Sequence, residues 1–106
     1  MRLIYSITSS EIIIISLIIE WFDHKKYNQY LDGYNEIFDR YKGQVIAVDD
    51  DTTVLEGEWA YKRTVIIKFP TENDLQAWYM SPEYQELAEY RRQASDANII
   101  MIHGRR

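Results

Sequence analysis

From Ile12 to Ile19 the chain runs Ile-Ile-Ile-Ile-Ser-Leu-Ile-Ile, bounded by Glu11 and Glu20. β-Branched side chains are stiff at χ1 and suit a pleated strand better than a helix. Both residue parities are apolar, so the strand must be covered on both faces, as a central strand is. That one segment constrains the whole fold, because something has to pack above the sheet and something below it. The run is too short for a membrane span, which takes about 20 apolar residues. Arg2 precedes it, but no A-x-A-like cleavage site follows, so it does not read as a secretory leader. The expectation is a cytoplasmic protein with no membrane partner.

Beyond this run the apolar period changes. The first strand is expected over Ile12 to Phe22, with Asp23 as a helix N-cap. Tyr27, Tyr30, Leu31, Tyr34, Ile37, Phe38 and Tyr41 recur three and four apart and form the stripe of one helix, which Gly43 ends. Gln44 to Val48 reads as a short strand, Asp49-Asp50-Asp51-Thr52-Thr53 as an acidic turn, and Val54 to Trp59 as a short extended piece. Thr64 to Phe69 is the next strand, closed by Pro70. Thr71 caps a second helix with Asp74 as its capping-box partner. Ser81-Pro82 restarts that helix, since proline at the first helical position lacks only an N–H that has no partner there. Tyr84, Leu87, Ala88, Arg91 and Ala94 then share a face, and Asn98 to His103 is the last strand.

Residues 1–11, broken by Ser6, Thr8, Ser9 and Ser10, read as an N-terminal extension to a single domain spanning 12–106. A chain of 106 residues has room for one core. Strand, helix, strand, strand, helix, strand is the split βαβ order of ferredoxin-like α+β folds: a four-stranded antiparallel sheet with two helices on one face.

Such a plait leaves its other sheet face bare. Here that face would carry apolar residues of one parity from three strands, Ile66 and Ile100 among them. A patch of several hundred Å² exceeds what soluble monomers usually expose. The expected partner is a second copy packed sheet to sheet; the alternative is that residues 1–10 fold over the face.

Charge and composition exclude other classes. A net charge of −5 disfavours nucleic acid, which needs a basic face. RNA-binding RRM domains share the element order, but their base-stacking aromatics on the third strand are here Thr64 and Ile66. With no Cys and two His, neither a disulfide framework nor a transition-metal site is expected. Asp49-Asp50-Asp51 fails as a calcium loop, because the positions needing Gly and Glu hold Val54 and Ala60. No phosphate-binding or nucleotide motif occurs, and no cofactor is expected.

Three segments resemble the domain of unknown function 1330 family: Glu56-Gly57-Glu58-Trp59, Val65-Ile66-Ile67-Lys68-Phe69-Pro70, and Ala77-Trp78-Tyr79-Met80-Ser81-Pro82-Glu83-Tyr84-Gln85 with Arg91 seven residues after Tyr84. The resemblance spans roughly residues 12 to 104 and implies a ferredoxin-like protomer of the dimeric α/β-barrel superfamily. It implies no established reaction. The chain departs from the family pattern at Lys42-Gly43-Gln44, where a Gly-Gly pair and a basic residue are usual, and at Ala60-Tyr61, where a proline is.

Each chemistry-bearing residue has a functional and a structural reading. Glu56, beside Gly57, is a candidate base at a cleft mouth or a turn residue capping local backbone. Arg91 lies on an otherwise apolar helical stripe, so its charge must be paired or must reach solvent; it would clamp a ligand carboxylate, or form an internal salt bridge with Glu56 or Glu58. Trp59, Trp78, Tyr79 and Tyr84 line an aromatic pocket or belong to the core. His103, closing the last strand, is the candidate proton shuttle, whereas His24 in the first helical turn reads as solvated surface.

The expected function is a homodimer that binds a small organic acid in one cleft per protomer, between the second helix and the sheet, with scope for cofactor-independent catalysis. The rival is a structural or regulatory dimer without a metabolite. The two separate on whether Glu56, Trp59, Arg91 and His103 converge.

Overall fold

A computed structural model describes residues 12–104. The N-terminal extension expected over residues 1–11, and with it the idea that this segment covers the sheet, lies outside the described residues. Seven elements follow in order: β1 (Ile12–Trp21), α1 (His24–Arg40), β2 (Gln44–Asp49), β3 (Arg63–Phe69), α2 (Glu72–Tyr79), α3 (Pro82–Ala94) and β4 (Ser95–His103). The strands form one sheet in the order β2-β3-β1-β4, with every neighbouring pair antiparallel. This is the ferredoxin-like α+β plait, with β1 and β3 central as the Ile12–Ile19 run requires.

The helix side of the sheet carries the core. Ile12 and Ile14 of β1, and Ile67 and Phe69 of β3, pack under Tyr30, Ile37 and Phe38 of α1 and under Trp78, Tyr84 and Ala88 of the other helices. Trp78 anchors it, with its ring 4.2 Å from that of Tyr84 and 5.0 Å from that of Phe38. A smaller cluster of Ile18, Tyr27 and Ala94 closes one end.

On the opposite face the register sets Ile15 beside Ile66 and Ile100, and Ile13 beside Ile102. Ile100 and Ile102 are 47% and 42% exposed there.

Local signals explain the element ends. The Asp23 carboxylate accepts from the Lys26 N–H, Thr71 from Asp74, and Ser81 from Tyr84, each the expected N-cap. The second helix is thus two helices meeting at Met80-Ser81, where the Ser81 hydroxyl also donates to the Trp78 carbonyl.

Three details differ from the sequence reading. The left-handed residue ending α1 is Lys42 (φ 64°), not Gly43. The Gly43 N–H reaches back to the Phe38 carbonyl, a Schellman closure. Gly43 is required by space instead: a Cβ there would lie 2.5 Å from Phe38 and 3.0 Å from Phe69. Val54 to Trp59 forms no strand; residues 50–60 are an exposed connection between β2 and β3. Strand β4 begins three residues early, at Ser95, because its first residues pair with the end of β1 beyond an irregularity at Ile18/Glu20.

Candidate functional site

The helix layer and the sheet do not meet everywhere, and between them lies a cavity of about 60 Å³. Its floor is the helix-facing parity of three adjacent strands: Ile14, Val65, Ile67 and Ile99. Tyr27, Tyr30 and Tyr34, three and four apart on α1, form one wall, and Trp78, Tyr84 and Arg91 of α2 and α3 form the other. Leu31 and Val48, both exposed, stand at its rim on the β2 side.

Arg91 is the polar centre. It is 6% exposed, and no carboxylate pairs with it among the described residues. Its Nε has no hydrogen-bond partner. The guanidinium carbon lies 5.9 Å from the centre of the Tyr30 ring, and the group rests against the Tyr84 hydroxyl. Burial works against its charge, but the hydroxyls of Tyr84, Tyr30 and Tyr79 outweigh that and hold its pKa above the ordinary arginine value.

The internal salt bridge to Glu56 or Glu58 is not formed. Both glutamates sit in the exposed β2–β3 connection.

The Tyr30 and Tyr84 hydroxyl oxygens are 3.2 Å apart and share one hydrogen bond. Burial pushes the Tyr30 hydroxyl well above its ordinary value, with the neighbouring Tyr84 and Tyr34 adding to the shift. Tyr34 is likewise raised, chiefly by burial. These phenols therefore stay protonated at neutral pH and act as donors rather than as bases. Near the rim, Arg63 is already satisfied: its Nε and Nη2 donate to the two Asp50 carboxylate oxygens at 2.6 and 2.8 Å, and it stacks over Trp21 at 5.2 Å. The acidic turn thus supplies the partner of a cavity-lining cation, while Asp49 accepts from the Asp51 N–H.

Of the residues singled out in the sequence, Trp78, Tyr84 and Arg91 meet at this cavity, and Trp78 and Tyr84 belong to the core as well. Glu56 and Trp59 do not reach it within the protomer. They line a separate shallow surface groove with Thr52, Val54 and Leu55, where Gly57 takes a left-handed φ of 85° and Trp59 packs edge-on against Tyr61. His103 lies at the far end of β4, its Nε2 3.0 Å from the Glu72 carboxylate. His24 is exposed at the start of α1. The four residues Glu56, Trp59, Arg91 and His103 therefore do not converge in the protomer.

Sequence reading passed over Tyr27, Tyr30, Tyr34 and Arg63 as site residues. The three tyrosines look like an ordinary core stripe, and the one clue is chemical, since a stripe of Tyr rather than Leu carries hydroxyls that need partners. Among the described residues no group of three His, Asp or Glu is placed to hold a metal ion, and no helix is long and apolar enough to cross a membrane.

A four-stranded antiparallel sheet with all helices on one face, and a cavity between the layers, defines a ferredoxin-like protein. The chain belongs to the family described as a domain of unknown function (DUF1330), whose model matches residues 12–105. No curated protein matches the sequence. Among solved structures it is similar to the RPA0582 protein of unknown function from Rhodopseudomonas palustris, at 17% identity and a TM-score of 0.75, covering 95% of this chain and 87% of that one. It is similar to a dimeric ferredoxin-like protein of unknown function from Thermobifida fusca, at 14% identity and a TM-score of 0.62, with 97% and 98% covered. It is also similar to SnoaB, a cofactor-independent oxygenase from Streptomyces nogalater, at 12% identity and a TM-score of 0.65, with 92% and 95% covered.

Proposed function

We propose that this protein is a homodimer, joined through the outer sheet faces, that binds a small organic acid in the cavity at Arg91. The observation that carries the reading is a guanidinium buried in an apolar cavity without a carboxylate. A buried charge is costly unless paired, so a site of this kind favours an anionic guest. One water needs roughly 10–15 Å³ on the same measure of cavity volume, so the space suits an acid of about four to six heavy atoms. The dimer is supported by the exposed isoleucines of the outer face and by the dimeric fold-mate from Thermobifida fusca.

Thermal-shift measurements over a panel of small carboxylic acids and their amides test the ligand. At 100 times its Kd a ligand stabilises by about 2.7 kcal/mol. Acids should raise the melting temperature of the wild type but not of Arg91→Gln, and amides should raise neither.

The scatter of Glu56, Trp59 and His103 favours a second reading, a structural or regulatory dimer without a metabolite. Failure of every acid to shift the wild-type melt, with the dimer intact by light scattering, would decide for it. A fold-mate that is a cofactor-independent oxygenase makes turnover of the bound acid worth assaying once a ligand is in hand.

A further inference from the structure

The cavity lining carries hydrogen-bond donors that find no acceptor. Arg91 is donor-only, and its Nε–H is unmatched. Tyr30 and Tyr84 bring two hydroxyl protons but share a single bond, so one proton is left over. Trp78, another lining residue, has an indole N–H without a partner. Either hydroxyl can be the donor of that bond. When Tyr84 donates, the surplus proton is that of Tyr30, whose ring the guanidinium overlies.

We infer that Tyr30 is a second binding residue of this site, its hydroxyl donating to one oxygen of a ligand carboxylate while the Arg91 guanidinium donates to the other. The inference rests on the acid-binding reading above and deepens it: the guest presents two acceptor oxygens and no donor at that end, which selects a carboxylate over an amide, alcohol or amine. Buried donors left without acceptors reject a ligand that cannot supply them, so the selectivity comes from the protein's surplus rather than from shape.

Propionate and propionamide serve as probes in NMR titrations of the wild type and three variants, with the folded state of each checked by its amide spectrum. Tyr30→Phe keeps the ring and removes only the hydroxyl. It should weaken propionate roughly tenfold or more, the scale of a hydrogen bond to a charged group. Tyr84→Phe leaves the Tyr30 O–H available and should weaken propionate less than Tyr30→Phe does. Arg91→Gln should abolish binding, and propionamide should bind no form. Full propionate affinity in Tyr30→Phe, or a larger loss in Tyr84→Phe, overturns the role of Tyr30 while loss in Arg91→Gln leaves the acid-binding reading standing. Absence of propionate binding to the wild type, or equal binding of the amide, overturns both.

Discussion

A single side chain concentrates the unusual energetics of this protein. Arg91 on the inner stripe of α3 is a residue that stability alone would not select, because hydrophobic replacement of a buried charge is often neutral or stabilising. Arg91→Met is therefore expected to leave the unfolding free energy unchanged or to raise it by up to about 2 kcal/mol in urea melts. A loss of roughly 3–5 kcal/mol would instead reveal a stranded partner carboxylate and count against the unpaired state. Gly43 is the opposite case, a residue held by packing. Its missing Cβ leaves room for Phe38 and Phe69, so Gly43→Ala should cost about 1–3 kcal/mol through overpacking. The same melts read both effects, and they should differ in sign or at least in size.

At the level of elements, two side-chain contacts fix how neighbouring segments meet. Ser81 joins α2 to α3 by donating to the Trp78 carbonyl and accepting from the Tyr84 N–H. Ser81→Ala should cost about 1 kcal/mol, an ordinary N-cap loss. Asp50 ties the β2–β3 connection to Arg63, whose hydrogen bonds hold the Asp50 carboxyl below its usual range; Lys62 does the same for Glu20. A lowered folded pKa contributes stability that is complete above the ordinary carboxylate value near 3.8 and drains away as pH falls through the lowered one. Stability should therefore decline on acidification below about pH 4, with a shallower decline in Asp50→Asn, by urea melts at stepped pH. Both pairs are exposed, so the effect is small.

Elements of this kind were readable from periodicity and capping. The Ile run, the tyrosine stripe of α1 and the Ser81-Pro82 break each state their structure locally. The connection after Asp49 has no period to read, and its distance from the cavity is a tertiary fact. For the same reason the sequence shows Arg91 on an apolar stripe but not whether a glutamate reaches it. His103 meeting Glu72, rather than facing the cavity, likewise depends on where β4 ends relative to α2.

For the whole molecule, the outer sheet face sets the expected assembly. Ile15, Ile66 and Ile100 lie side by side across three strands, an apolar strip of the sort a two-fold dimer covers. Light scattering on a sizing column should give twice the 12.7 kDa chain mass. Ile100→Asp should shift the particle to monomer, since an unpaired charge in that interface is costly. A concentration-independent monomer mass for the wild type would refute the assembly. If the protomers do separate cleanly in Ile100→Asp, the acid site can be titrated in the monomer, because every residue assigned to it belongs to one chain.

The irregularity in β2 has a consequence for how copies of the chain avoid one another. Between Val45 and Ala47 the pairing with β3 slips, and Ile46 is the extra residue. Among the described residues β2 is one of the sheet's two border strands, β4 being the other, and a straight border strand is a template onto which another molecule's strand can zip, then another, without end. A bulge bends that template and breaks its row of free N–H and C=O groups. Growth along the β2 border is thereby hindered, whereas the proposed pairing through the flat of the sheet would end at two. Deleting Ile46 would restore an even border, and the expected penalty is not weaker folding but turbidity: a protein that forms fibres on standing where the parent stays clear.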